Sequence, residues 1–298
     1  MSRRPLSLLV AIALTLGTST VQQIAVRADD DAPVPRIDLP FNDDTDGNAF
    51  IPPDRETSDR PFDSDRVIIG NDDRVPVTTR RFPWSAIGRV DLLDHTGRKI
   101  NHCTGTLIGP SLVLTNAHCI TYGDTGSPKA AAWRFRPALI SGRSIVSARV
   151  TDFQVGARRW GQALHADWAL LELDRPLGET YGYMGWRNLD FEQDNFREAI
   201  AGKVRMVGYS GDFPEDEPGQ TAGVHENCSI LDTFREELIH NCDTNGGASG
   251  GPIFGFFEDG KPYIVGLHSA GRSTADGRGI ENLAVSVDRW ATAAKEMQ

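Results

Sequence analysis

Short alternating runs of apolar and polar residues dominate the chain. Runs of about five to seven residues, rich in β-branched and apolar side chains, predict strands over Ser85–Leu93, Gly105–Ile108, Leu112–Thr115, Ala148–Phe153, Trp168–Leu173, Lys203–Tyr209, Tyr263–His268 and Leu283–Val287. Turn signals separate them, among them Thr96-Gly97, Gly109-Pro110, Arg175-Pro176 and Glu258-Asp259-Gly260. Helical spacing is scarce. It is clearest at the end, where Val287, Trp290, Ala291 and Ala294 predict a helix over Val287–Met297. Many short strands and one terminal helix predict an all-β barrel protein.

Two stretches do not follow this pattern. Leu6 to Leu16 is nearly all apolar, follows Arg3 and Arg4, and precedes small and polar residues ending in Val26-Arg27-Ala28. That is the order of an export signal over 1–28, too short to cross a bilayer comfortably. Residues 29–66 hold six prolines, twelve acidic residues and four arginines, with few apolar side chains. Such a composition buries too little surface to offset its ordering entropy and predicts a disordered linker or a propeptide. At Val67-Ile68-Ile69-Gly70 a different kind of sequence begins, and 67–298 is the expected working domain.

The formal net charge of −10 includes −8 from residues 29–66. A phosphate-binding surface needs a basic stripe, so nucleic acid is not the expected partner. The four cysteines, Cys103, Cys119, Cys228 and Cys242, all lie after the signal, and an exported chain oxidises them into two disulfides. Their spacing, and that of the histidines, fits no zinc site. No metal and no cofactor is predicted, and no stable membrane association once the signal is removed.

Three short stretches can carry chemistry. In Gly246-Gly247-Ala248-Ser249-Gly250-Gly251-Pro252, four glycines surround one serine. Glycine allows a sharp turn and close backbone approach, which lets a hydroxyl project and neighbouring N–H groups face a developing oxyanion; a flexible turn is the plainer reading. In Leu114-Thr115-Asn116-Ala117-His118-Cys119, the histidine follows an apolar strand, and the adjacent Cys119 offers a way to pin it as a general base requires. Asp167 opens the apolar strand Trp168–Leu173, either as a turn cap or as the acceptor of an imidazole N–H. Asn116, next to the histidine motif, is read as neutral for mechanism. The chain order His118, Asp167, Ser249 separates this set from the orders of subtilisin and the α/β-hydrolases, and the serine lacks a G-x-S-x-G elbow.

Thr115-Asn116-Ala117-His118-Cys119, Asp167-Trp168-Ala169-Leu170 and Gly247-Ala248-Ser249-Gly250-Gly251-Pro252 together resemble the chymotrypsin-like serine endopeptidases, over roughly residues 67–295. Asn116 and Ala248 stand where that family usually has Ala and Asp. The stretch from Asp243 to Gly250, and Val67-Ile68-Ile69-Gly70-Asn71-Asp72-Asp73-Arg74 as a mature N-terminus, are most similar to the bacterial glutamyl endopeptidases. The resemblance implies two packed six-stranded antiparallel β-barrels and a C-terminal α-helix, with the active site between the barrels. It implies His118, Asp167 and Ser249 as the catalytic triad, and the N–H groups of Gly247 and Ser249 as the oxyanion hole. It implies the disulfides Cys103–Cys119 and Cys228–Cys242, polypeptide substrates, and a secreted or periplasmic monomer. Ala248 cannot receive a new N-terminal amine; after a cut at Arg66–Val67 the resemblance to the glutamyl endopeptidases implies that the Val67 amine helps bind the substrate carboxylate.

Val265-Gly266-Leu267-His268-Ser269-Ala270-Gly271 resembles the strand lining the primary specificity pocket. Together with Thr244 and Val67, the resemblance makes His268, Ser269 and Gly271 substrate-binding and implies cleavage after Glu (or Asp). An imidazolium and a hydroxyl would hold the substrate carboxylate. Asp243, six residues before Ser249, offers the alternative of trypsin-like cleavage after Arg or Lys. A catalytically inactive protease fold used as a binding module is the alternative from another functional class.

Overall fold

The computed structural model describes residues 33–42, 44–61, 72–159, 163–191, 196–273 and 279–298. The expected signal over 1–28, the Arg66–Val67 junction and Val67 lie outside the described residues. Among the described residues no helix is long and apolar enough to cross a membrane.

The first half closes into a six-stranded antiparallel barrel. Its strands are Ile87–Leu93, Lys99–Leu107, Leu112–Thr115, Ala132–Pro137, Ala148–Val155 and Ala169–Leu173. Apolar runs make the centre: Leu112–Thr115 is buried at every position, and Val113 faces Leu171 while Leu114 faces Leu170 across the pair. Ala132–Pro137 instead alternates, with Trp133 and Phe135 turned inward and Arg134 and Arg136 half-exposed between them. Period-2 patterning of this kind defines a strand with one face in the core.

The second half is a ten-stranded sheet. Its main path runs Ile230–Phe234, Glu237–His240, Gly279–Ser286, Pro262–Ser273, Pro252–Phe257, Val204–Gly208, Gly223–Cys228 and Arg74–Pro76. Two short strands attach in parallel, Arg36–Ile37 to Pro252–Phe257 and Gly185–Trp186 to Pro262–Ser273. The architecture is thus the expected pair of β halves, the second a sheet of eight strands along its main path and ten with these additions. The chain ends in a turn of 3-10 helix, Val287–Arg289, and the helix Ala291–Met297, which buries Ala291 and Ala294.

The expectation of a disordered linker does not hold for residues 33–42 and 44–61, which pack against the body. Ile37 is fully buried in the core of the second half, and Val34, Leu39, Phe41, Ala49 and Ile51 pack against core residues. Burying one isoleucine completely contributes about 1.5–3 kcal/mol. A few anchoring side chains offset what the average composition of the segment does not.

Polar bonds join the halves behind the serine loop. The Thr104 N–H donates to Ser249 O at 2.8 Å, and Thr104 Oγ1 donates to Gly247 O at 3.0 Å. The Tyr209 N–H donates to Thr104 Oγ1 at 2.9 Å. The fully buried Tyr209 also reaches across to Leu139, accepting from its N–H at 3.0 Å and donating to its carbonyl at 3.2 Å. Thr104 therefore links the barrel wall to the loop that carries the serine.

Candidate active site

Strand register brings His118 and Asp167 together. Thr115 pairs with Ala169 at the end of an antiparallel ladder, so the chain just past Thr115 and the chain just before Ala169 leave the barrel side by side. His118 sits in the 3-10 turn Ala117–Cys119, and Asp167 follows the 3-10 turn Leu164–Ala166. The disulfide Cys103–Cys119, with 6.1 Å between its Cα atoms, ties the histidine turn to the neighbouring strand.

Asp167 is 1% exposed and engages His118 through both oxygens. Oδ1 accepts the His118 backbone N–H at 2.8 Å, and Oδ2 lies 2.7 Å from His118 Nδ1. An ionised carboxylate can only accept, so the imidazole proton is on Nδ1 and Nε2 is the accepting nitrogen of the ring. Ser269 Oγ donates to Asp167 Oδ2 at 2.5 Å. The fully buried Asn116 donates from Nδ2 to the Asp167 carbonyl at 2.7 Å, while its Oδ1 has no partner among the described residues. Asn116, read as neutral from sequence, is part of the frame that fixes Asp167.

The serine loop is shaped by glycines in the left-handed region. Gly247 has φ +97° and Gly250 has φ +81°. A Cβ at Gly250 would land on Thr115 Oγ1 and the Thr104 carbonyl, so only glycine fits. The half-buried Ser249 is held with its carbonyl 4.0 Å from Cys119 Sγ, next to His118 in the chain. Among the described residues neither the Gly247 N–H nor the Ser249 N–H donates to another protein group. These are the two donors that the family resemblance implies for an oxyanion.

The strand Pro262–Ser273 runs along the far arm of this loop. The Gly250 N–H donates to His268 O at 2.9 Å, and the His268 N–H to Gly251 O at 3.0 Å. His268 is 4% exposed. Burial, with the nearby charge of His118 adding to it, pushes its pKa down to about 3. The imidazolium expected from the sequence is therefore not the resting state: His268 is neutral in the free protein. The fully buried His240 lies behind it, Nε2 to His268 Nδ1 at 3.1 Å, and burial holds its pKa well below the ordinary range.

The remaining candidates fall into place around this pair. Thr244 is half-buried, with Oγ1 3.5 Å from Asn282 Oδ1. A Cβ at Gly271 would come within 2.6 Å of the same Asn282 oxygen. Ser269, expected at the substrate, has its hydroxyl on Asp167 instead. Asp243 Oδ2 accepts the Asp73 N–H at 3.1 Å and lies 3.3 Å from His225 Nδ1. Cys228–Cys242, with Cα atoms 5.1 Å apart, closes the base of this region. His240 was not foreseen; its signal is Glu237-Leu238-Ile239-His240, where the buried phase of a strand ends on a histidine.

A closed β-barrel followed by a larger β-sheet, with His118 held by Asp167 and the Ser249 loop bonded to the barrel strand at Thr104, is the arrangement of the chymotrypsin-like class. The family profile described as "Trypsin-like peptidase domain" matches residues 103–267, and the chain belongs to that family. The glutamyl endopeptidase of Bacillus licheniformis is 30% identical over 190 residues, 63% of this chain and 55% of that protein. A Bacillus subtilis protein called "Extracellular metalloprotease" is 23% identical over 214 residues, 70% of this chain and 63% of that protein. The chain thus spans just over half to under two thirds of these relatives. A structure of Glu endopeptidase in complex with MPD aligns with a TM-score of 0.61 and 25% identity, over 78% of this chain and 98% of that one.

Proposed function

We propose that the chain is an exported serine endopeptidase that cuts polypeptides after Glu (or Asp). The observation that carries the catalytic part is the buried Asp167, whose two oxygens hold the ring and the backbone of His118. Ser249 Oγ attacks the peptide carbonyl while its proton passes to His118 Nε2. Asp167 stabilises the imidazolium that forms, and the Gly247 and Ser249 N–H groups receive the oxyanion. The proton then goes to the leaving amine nitrogen as the C–N bond breaks, and water repeats the sequence on the acyl-enzyme. The Bacillus subtilis relative carries metalloprotease in its name. Two groups of potential ligands occur among the described residues: Cys103, His118 and Cys119, whose thiols are joined in a disulfide, and Asp73, His225 and Asp243.

His268 supports the acidic preference. It is joined to the serine loop by two backbone hydrogen bonds and lies close enough to His118 for their charges to interact. A neutral imidazole N–H is a good donor to a carboxylate in a dry pocket. The Asp243 carboxylate, on which trypsin-like cleavage would depend, accepts the Asp73 N–H, while His225 Nδ1 accepts the Asp243 backbone N–H. The glutamyl endopeptidase relatives favour the same choice. Export rests on the leader over 1–28 and the two disulfides, and a cut at Arg66–Val67 remains the proposed processing site of a monomer.

The test uses the purified exported protein and its Ser249→Ala variant on matched peptides ending in Glu, Asp, Arg, Lys and Phe, with fluorophosphonate labelling alongside. Labelling and cleavage after Glu, both lost in the variant, are expected. Cleavage after Arg alone keeps the triad and moves specificity to Asp243. Neither labelling nor cleavage by folded protein makes the binding-module reading the better one.

A further inference from the structure

Residues 33–61 fill places in the body that are incomplete without them. Arg36–Ile37 extends the sheet beside Phe256–Phe257, and a Cβ at Gly255 would land on the Ile37 side chain. Gly47 exchanges both backbone hydrogen bonds with Trp186 at 3.0 Å, and Phe50 does the same with Tyr183. The fully buried Trp186 donates its indole N–H to Thr45 O at 3.0 Å. The buried Trp84 donates its own to Ser58 O at 2.8 Å. Phe82 exchanges backbone bonds with Glu56 and Ser58, and the Thr78 N–H donates to Pro61 O.

The centre of this interface is a buried ion pair. Arg187 Nη1 and Asp46 Oδ2 are 3.3 Å apart, with side chains 5% and 2% exposed. Asp46 also accepts the Asn188 N–H at 2.7 Å and the Asn42 N–H at 2.8 Å. The Arg187 guanidinium lies between two rings, 3.9 Å from the Phe41 centroid and 4.0 Å from that of Tyr263. One ring and the carboxylate thus come from the segment, and the cation and the other ring from the body. Removing the segment would leave a buried cation without its counter-charge and two indole N–H groups without acceptors, each costly in a dry environment.

We infer that residues 33–61 are a permanent part of the folded protein, not a propeptide that leaves. The body carries a binding site for this one peptide, and a cut between Pro61 and Asp72 yields a two-chain molecule. No cysteine lies in 29–66, so packing and hydrogen bonds alone hold the two chains. The segment bonds to the second half through Arg36–Ile37 and to the start of the first through Phe82 and Trp84, so it also fastens the halves together. None of this depends on the peptidase reading.

The experiment cuts the folded, full-length Ser249→Ala protein at a site-specific protease sequence built in between Pro61 and Asp72, then separates it by native size exclusion with mass spectrometry of each peak. The expected result is co-elution of the N-terminal peptide with the body in one-to-one ratio, and its release only in denaturant. In the cut Asp46→Ala version the peptide is expected to dissociate on the column. Release of the parent peptide under native conditions, whether or not the body stays folded, overturns the inference. Retention in the Asp46→Ala version equal to the parent overturns the assignment of Asp46–Arg187 as its anchor.

Discussion

His240 Nε2 lies 3.1 Å from His268 Nδ1, and the Cys242 N–H and the Leu283 carbonyl also bond to the pair. The Cys242 N–H points at His240 Nδ1 from 3.2 Å, so that nitrogen accepts and the His240 proton is on Nε2. Each ring also has the Leu283 carbonyl as a hydrogen-bond acceptor, so the pair presents its N–H groups to that carbonyl as well as to each other. Both rings stay neutral where free histidines charge. Below the ordinary value of 6.5 the unfolded chain takes up protons that the folded protein refuses until about pH 3 at His268. Their stabilising effect is therefore complete above pH 6.5 and is lost as pH falls, by about 1.4 kcal/mol per pH unit for each ring. The His268→Gln variant removes one of the two, so its urea-derived stability between pH 6 and 4.5 should fall less steeply than the parent's by about 1.4 kcal/mol per unit. Equal slopes would show that His268 is charged in the folded state.

The same neutrality bears on specificity. If a neutral N–H at His268 receives the substrate carboxylate, the preference for Glu over Gln has no titration step of the enzyme near neutrality. The ratio of kcat/KM for the two substrates should stay flat, within about twofold, from pH 6 to 8. A ratio that rises about tenfold per unit as pH falls would mean that the substrate carboxylate draws a proton onto His268.

Asn116 acts through Asp167. Its amide donates to the Asp167 carbonyl from a fully buried position, which holds the carboxylate against His118. In Asn116→Ala that carbonyl loses its partner, a cost of about 1–3 kcal/mol in stability. The loosened aspartate should also lower kcat about tenfold, equivalent to about 1.4 kcal/mol of barrier, with KM unchanged. Active-site titration separates the two effects. A purely structural role would reduce the titratable fraction and leave kcat per titrated site at the parent value.

Much of this site was legible in the chain because its chemistry needs particular residues at short range. A projecting serine needs Gly247 and Gly250 beside it, and a pinned histidine follows from the strand Leu112–Thr115, whose ends the pattern located to the residue. Strands such as Gly223–Cys228 were missed because His225, Glu226 and Asn227 outweigh Val224 in any local count. The packing of 33–61 was hidden for a related reason: Ile37, Phe41 and Phe50 are scattered among prolines and carboxylates, and composition averages over them. The neutral state of His268 depends on burial between elements far apart in sequence, which no local pattern contains.

Gly250→Ala tests the shape of the serine loop. The new Cβ would collide with Thr115 Oγ1 and with the Thr104 carbonyl, and these two are already bonded to each other at 2.7 Å. Neither can withdraw without opening the barrel edge, and alanine also resists the required φ of +81°. The substitution should cost about 1–3 kcal/mol in stability from backbone strain alone. It should also move Ser249 and abolish fluorophosphonate labelling in the protein that still folds. Parent-like labelling would show that the loop tolerates a different backbone.

The Asp46–Arg187 pair allows a sharper test of how the N-terminal segment is held. Removing one member of a buried ion pair leaves the other without compensation and costs about 3–5 kcal/mol, whereas replacing both by uncharged groups of similar shape is often nearly neutral. Asp46→Asn keeps an oxygen for the Asn188 N–H, and Arg187→Met keeps an unbranched side chain between Phe41 and Tyr263. Asp46→Asn should fall at the lower end of that range, because both rings still face the cation, each such contact contributing up to about 2 kcal/mol when desolvated. Arg187→Met should fall at the upper end, since a carboxylate would remain buried with only backbone N–H partners. The double variant should lose far less than the sum of the single losses, its denaturant midpoint lying nearer the parent's than that of either single variant. Strict additivity would mean that the two charges do not sense each other in the folded protein, and that Ile37 and the backbone pairing hold the segment without them.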